Sequence, residues 1–245
     1  MPPLEHHLVW DADTTARLWD FYARHAPFNQ QYFALTHGGH LLNLLQRHVS
    51  LHKRAILDFG SGPGNLFRHV IARKLDCRYH ALDFSEKSIR QLQHDFAGTP
   101  QLQSVTAVRE LPSSLAAASM DVVIAVEVIE HVTAEQLSAM LTEFKRILKP
   151  GGQVVLTTPN KENLADSTTF CPECGAVFHK WQHLRRWDAD ALREVMTAHG
   201  FVNLRVLELN LKYVTADPFG LYGRLRALFN PRHKRPHLVC IGSHA

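Results

Sequence analysis

No stretch of this 245-residue chain is apolar for long enough to cross a bilayer, a task that takes about 20 consecutive apolar residues. The N-terminus, Met1-Pro2-Pro3-Leu4-Glu5, lacks a basic run followed by an apolar one. No secretory leader is expected, and a cytoplasmic location follows by default. Charge of one sign is also scarce. Lys and Arg number 27 against 23 Asp and Glu, a net +4, too small by itself to argue for nucleic acid. Cysteine is limited to Cys77, Cys171, Cys174 and Cys240. In a reducing compartment the close pair reads as a metal or redox site and not as a disulfide. There is no internal repeat and no low-complexity tract. What remains is a composition of 45% hydrophobic and 20% charged residues, ordinary for a globular protein and long enough for one large α/β domain.

The first 50 residues carry two helical patterns. Asp13 to Arg24 is amphipathic, with a cap expected at Asp13 or Thr14, and Gly38 to Val49 follows after Pro27. Neither fits the alternation that begins at residue 54, so residues 1–50 read as an N-terminal helical cap and 51–245 as the main domain. From there strands are expected at 54–59, 77–83, 102–108, 121–126 and 153–158. Helices are expected at about 65–74, 85–96 and 133–148, the last with a capping box from Thr133 and Gln136. Lys149-Pro150-Gly151-Gly152 reads as the stop after that helix. A further helix at 188–199 and strands at 203–211 and 237–242 complete the pattern. Strands alternating with helices make a parallel, doubly wound sheet.

The chemistry starts at Ile56-Leu57-Asp58-Phe59-Gly60-Ser61-Gly62-Pro63-Gly64-Asn65. A buried strand runs into a glycine turn and then a helix, which lays a small ligand across backbone N–H groups. The dinucleotide fingerprint Gly-x-Gly-x-x-Gly/Ala fails at Asn65; the pattern is Gly60-x-Gly62-x-Gly64. About 20 residues on, Asp83 ends the second strand, where an ionised acceptor can take both hydroxyls of a ribose; the competing reading is a helix cap. Next come Asp121-Val-Val-Ile-Ala-Val-Glu127-Val-Ile-Glu130-His131 and, later, Leu148-Lys-Pro-Gly-Gly152.

In this order the motifs over about residues 54–158 resemble the class I S-adenosylmethionine-dependent methyltransferases, in the branch that includes ubiquinone-biosynthesis O-methyltransferases. The resemblance implies a Rossmann-like doubly wound sheet of seven strands, mostly parallel, with an antiparallel last strand. It implies S-adenosyl-L-methionine as cofactor, contacted by Asp58, Gly60, Ser61, Gly62, Gly64, Asp83 and Glu127. One departure is the absence of an acid at Ala107 and Val108, where members often contact the adenine amine. The implied reaction is methyl transfer to a small-molecule, lipid-linked or glycan acceptor, at oxygen. His131, at the C-terminal end of the fourth strand, is the first candidate base and Glu130 its orienter; the alternative is that both only cap the next helix.

Cys171-Pro-Glu-Cys174-Gly-Ala-Val-Phe-His179-Lys-Trp-Gln-His183 has the spacing Cys-x₂-Cys-x₄-His-x₃-His. Four such ligands suit a tetrahedral structural zinc, and the expectation is a knuckle within a 159–187 insertion. His183 has a competing assignment: His183-Leu-Arg-Arg-Trp187-Asp-Ala-Asp-Ala-Leu192 resembles the segment that leads into the sixth helix in this branch, where a His reaches the active site. With Glu127, Glu130 and His131 it matches the pattern by which small-RNA 2′-O-methyltransferases hold a divalent metal, which gives the second functional reading. A third is a zinc-stabilised, nucleotide-binding interaction module without turnover. Finally, apolar Phe219, Leu221, Tyr222, Leu225, Leu228 and Phe229 recur at helical spacing among Arg224, Arg226, Arg232, Lys234 and Arg235. Residues 218–236 read either as a peripheral membrane contact or as packing beside the substrate mouth.

Overall fold

The computed structural model describes residues 5–214 and 235–245; the 218–234 part of the basic apolar stretch, including its whole apolar stripe, lies outside them. The elements in chain order are β1 (His6–His7), α1 (Ala12–Arg24), α2 (Phe33–His48), β2 (Ala55–Phe59), α3 (Asn65–Ala72), β3 (Arg78–Asp83), α4 (Glu86–Asp95), β4 (Leu102–Ala107), β5 (Met120–Val126), α5 (Ala134–Ile147), β6 (Leu148–Pro159), β7 (Thr168–Phe170), β8 (Ala176–His179), α6 (Ala189–Ala198), β9 (Phe201–Leu209) and β10 (His237–His244). Seven strands form one sheet in the order β4-β3-β2-β5-β6-β10-β9. Only β10 runs antiparallel to its neighbours, β6 and β9. This is the doubly wound sheet with an antiparallel last strand expected from the sequence. Among the described residues, no helix is long and apolar enough to cross a membrane.

Side-chain alternation sorts the core onto the two faces of the sheet. Ala55, Leu57 and Phe59 of β2 face Leu141 and Phe144 of α5 and Leu192 of α6. Ile56 of β2 faces Leu41 and Leu45 of α2, Phe67 of α3 and Leu92 of α4. Helix α2 is therefore part of the sheet's own core, although its pattern falls outside the β–α repeat. Each fully buried Leu or Phe here is worth about 1.5–3 kcal/mol of transfer free energy.

Local signals set most boundaries. Ser85 caps α4, and Thr133 with Gln136 forms the expected capping box on α5. Three details differ from the sequence reading. The cap of α1 is Asp11, whose side chain accepts from Thr14 N–H at 2.8 Å while Thr14 Oγ1 accepts from Asp11 N–H. Lys149-Pro150-Gly151-Gly152 is a bulge inside β6, with Met120 opposite Leu148 and Val122 already opposite Gln153. The long insertion contains a hairpin, β7–β8, and β1 pairs parallel with β8. The N-terminus is thus stitched to the insertion.

Candidate active site

At the C-terminal end of β2, Gly60, Gly62 and Gly64 take φ of 76°, 53° and 85°, which L side chains adopt only with strain. A Cβ on Gly60 would lie 2.7 Å from Val128 Cγ2, whereas one on Gly62 would meet nothing within 4 Å. The loop therefore lies against the end of β5 on one side and opens on the other. Its N–H groups are less available than expected. Gly60 and Ser61 donate to Leu82 O, Gly62 to Asp83 Oδ2 at 2.8 Å, and Gly64 to Ser61 O. Instead, the first turn of α3 has no side-chain cap, which leaves its N–H groups free of intrahelical partners.

Asp83 ties this half together. Its two oxygens accept from Gly62 N and Ser85 N, at 2.8 and 2.7 Å. A carboxylate has about four lone-pair directions, so two remain for ribose hydroxyls. Ser61 Oγ is buried and unpartnered. A loop open at Gly62, an orphaned hydroxyl and a half-satisfied carboxylate fit a ligand with a ribose and a polar tail. Asp58 has a different place. It is 1% exposed and accepts from Tyr79 Oη at 2.6 Å, and burial pushes its carboxyl up to about 7. It is buried at the end of β2 with Tyr79 as its hydrogen-bond partner.

The second half lies beyond β5. Glu127 sits at φ 51°, a left-handed turn that costs a non-glycine residue about 1–2 kcal/mol. Thr157 on β6 holds it there: Thr157 Oγ1 donates to Glu127 Oε1 at 2.7 Å, and Glu127 N donates back to Thr157 O. Glu130 is 1% exposed; Oε2 accepts from Thr158 and Oε1 has no partner. Burial raises Glu127 to about 8 and, with the charge of Glu127, lifts Glu130 well above the carboxylate range. Burial, then the neighbouring His183, drives His131 down to about 3. At neutral pH the His131 imidazole is neutral. Glu130 Oε1 lies 3.8 Å from His131 Nε2, too far for the hydrogen bond expected of an orienter.

Residues invisible as motifs complete this half. Trp19 stands edge-on to His131, centroids 5.1 Å apart, and its Nε1 donates to Gln182, whose amide donates to His131 O. Tyr22 Oη donates to Lys180 O. Tyr32 packs on Trp19; burial, then the charge of Asp83, pushes its phenol up to about 12. Helix α1 and the turn after it therefore cover His131. Glu162 bonds His183, and the His183 and His131 rings lie 4.9 Å apart. For Trp19, Tyr22 and Tyr32 the sequence signal was the cluster of aromatics in the first 35 residues, whose functional reading was closure over the ligand.

The four-ligand zinc site does not form. Cys171 N donates to Ala176 O at the turn of the β7–β8 hairpin, whereas His179 pairs with Thr168 at its far end. Three strand residues separate the two places, about 10 Å at 3.3 Å per residue. Among the described residues the candidate ligand groups are Glu130–His131–His183 and Glu162–His179–His183, each within 4.8 Å, and neither includes a cysteine. Cys171 is nonetheless held below the usual thiol range by N–H groups of Cys174 and Glu173.

A strand–glycine loop–helix with an acid on the next strand, facing a buried polar cluster at the same end of the sheet, is the ligand-binding end of a doubly wound α/β enzyme fold. The profile of the methyltransferase-domain family Methyltransf_23 matches residues 23–206, and the chain belongs to that family. A ubiquinone biosynthesis O-methyltransferase of Paracidovorax citrulli is 33% identical over 113 residues. That match takes in 45% of this chain and 46% of the relative, so the chain spans about half of its length. Among solved structures, a chain from the complex between the Haloferax volcanii Trm112 methyltransferase activator and a methyltransferase superposes with TM-score 0.65 at 19% identity, covering 92% of this chain and 97% of that one. A SAM-dependent methyltransferase from Archaeoglobus fulgidus gives 0.58 at 16%, covering 89% and 99%. At those identities the two structures speak for the fold.

Proposed function

We propose that the protein transfers a methyl group from S-adenosylmethionine to a hydroxyl of a small-molecule, lipid-linked or glycan acceptor. The observation that carries this is the placing of two unlike half-sites at one end of the sheet. One is a glycine loop with Asp83. The other is a cluster of histidines beneath Trp19 and Tyr32. When bound, S-adenosylmethionine supplies a methyl group already activated on a sulfonium. Asp83 would accept the ribose hydroxyls, and Gly60, Ser61, Gly62 and Gly64 would line the path toward Glu127. The protein's own share of the reaction is alignment and proton removal. The roof of α1 excludes water and holds the acceptor in line, and an imidazole accepts the hydroxyl proton as the new bond forms. The similarity to a ubiquinone biosynthesis O-methyltransferase supports oxygen as the acceptor atom.

The test is to incubate the protein with methyl-labelled S-adenosylmethionine and an extract of its own cells, and then to separate the products. Label in the small-molecule or lipid fraction is expected. Label in RNA, dependent on magnesium or manganese, would favour the second reading, since Glu130, His131 and His183 stand within 4.8 Å of one another. No label in any fraction, with cofactor binding absent, would leave only a binding module.

A further inference from the structure

Three imidazoles line the acceptor half, and the hydrogen bonds around two of them fix where each proton sits. His179 ends β8, and its Nδ1 faces two backbone N–H groups, of Trp181 at 3.3 Å and of His183 at 3.1 Å. A ring nitrogen that accepts amide protons carries none of its own, so neutral His179 bears its proton on Nε2. That nitrogen is buried, has no hydrogen-bond partner and lies 3.6 Å from Glu162 Oε1. The other oxygen, Glu162 Oε2, lies 2.5 Å from His183 Nδ1. A carboxylate only accepts, so the neutral form of His183 carries its proton on Nδ1 and has its lone pair on Nε2. Among the described residues nothing hydrogen-bonds that Nε2. The His183 side chain is 10% exposed, its ring is 4.9 Å from that of His131 and stacks on His179 at 4.5 Å. It is therefore both gripped and within reach of a ligand. His131 has no carboxylate partner of this kind: its Nδ1 is unpartnered and Glu130 stands 3.8 Å from its Nε2.

We propose that Glu162 is a positioning residue that fixes His183 as the Nδ1–H tautomer, so that Nε2 of His183 is the atom that takes the acceptor's proton. This rests on the methyl-transfer reading above. The acceptor oxygen forms its bond to the methyl carbon with its own lone pair, and the carbon–sulfur pair stays with sulfur. The hydroxyl proton passes to Nε2. The resulting imidazolium faces the Glu162 carboxylate, which offsets its charge. The sequence motif had pointed to His131 and Glu130; the geometry moves the base to His183 and its orienter to Glu162, which lies outside every motif.

Side-chain proton positions can be read directly by long-range ¹H–¹⁵N correlation spectra of the labelled protein, with no substrate needed. The expected result is His183 protonated on Nδ1 and His179 on Nε2. In Glu162→Ala, His183 should lose that preference while the backbone amide spectrum and S-adenosylhomocysteine affinity stay within about twofold. Label transfer to the extract should fall at least about tenfold, a part of the 10²–10⁴ that a positioned base contributes. Glu162→Gln, whose carbonyl still accepts from Nδ1–H, should restore the tautomer and recover part of the rate. Wild-type His183 protonated on Nε2, an unchanged tautomer in Glu162→Ala, or an unchanged rate would each overturn the proposal. Should Glu162→Ala not fold, the wild-type tautomers still decide the first point. The spectra fail or succeed separately from the labelling experiment, so the two readings fall independently.

Discussion

The half proposed to hold the cofactor comes from a single run, residues 58–85, closed by hydrogen bonds that Asp83 accepts from the amides of Gly62 and Ser85. The acceptor half gathers Trp19 and Tyr32 from the N-terminal helices, Glu127 to His131 from the end of β5, Thr157 to Glu162 from β6 and the turn beyond, and His179 to His183 from the insertion. The first half is built from backbone conformation and one carboxylate. The second is built from side chains that only the finished fold brings together. A ligand common to many enzymes needs a fixed cradle, and local sequence can encode one. An acceptor that differs from enzyme to enzyme is met by parts that can vary separately.

If the halves act separately, substitutions should separate as well. The largest effect is expected in the acceptor half. His183→Ala should lower turnover about 10²–10⁴-fold and leave S-adenosylhomocysteine affinity unchanged; a loss of affinity instead would merge the halves. Next is Asp83→Ala, which removes an ionised acceptor and leaves the Gly62 and Ser85 amides unpaired. Cofactor affinity should weaken by about 1.5–3 kcal/mol, roughly 10–150-fold, as for hydrogen bonds to a charged group.

Asp58→Asn sharpens the account of how the end of β2 is held. The folded carboxyl titrates at about 7 against an ordinary 3.8, so between those pH values the folded state binds more protons than the unfolded one. Wild-type stability from this group therefore falls as pH rises from about 4 to 7, by up to about 1.4 kcal/mol per pH unit. Asn carries no such penalty and its carbonyl still accepts from Tyr79. The variant should gain on wild type in denaturant melts at pH 7 relative to pH 4; a constant difference would contradict the buried, protonated Asp58. The smallest effect is expected for Trp19→Phe, which keeps the ring but leaves Gln182 Oε1 without its donor. A loss of about 0.5–1.5 kcal/mol in stability is expected, with a modest drop in turnover and no change in cofactor affinity.

The same contrast explains what the sequence disclosed. The β–α alternation, the Ser85 and Thr133 caps, the antiparallel last strand and the glycine loop are contiguous signals and were legible. The place of Asp83 beside the loop was legible because its distance from the loop is fixed by one helix and one strand. Glu162 was not, since it sits in an irregular turn after β6 and has meaning only opposite His183. The Cys-x₂-Cys-x₄-His-x₃-His spacing misled because linear spacing ignores strand geometry. Once β7 and β8 pair, the cysteines mark the turn and His179 the opposite end. Asp58 was assigned to the ligand for its place in the motif, and the alternation of β2 turns it toward Tyr79. The exposed N–H groups expected of the loop proved to be spent on Leu82 and Asp83.

The central claim is that the cradle and the acceptor cluster are separate halves of one methyl-transfer site. It is tested most directly by titrating S-adenosylhomocysteine calorimetrically into wild type, Asp83→Ala and His183→Ala. Saturable one-to-one binding to wild type, weakened about 10–150-fold in Asp83→Ala and unchanged in His183→Ala, is the predicted result. No binding to wild type, or equal weakening in both variants, would contradict it.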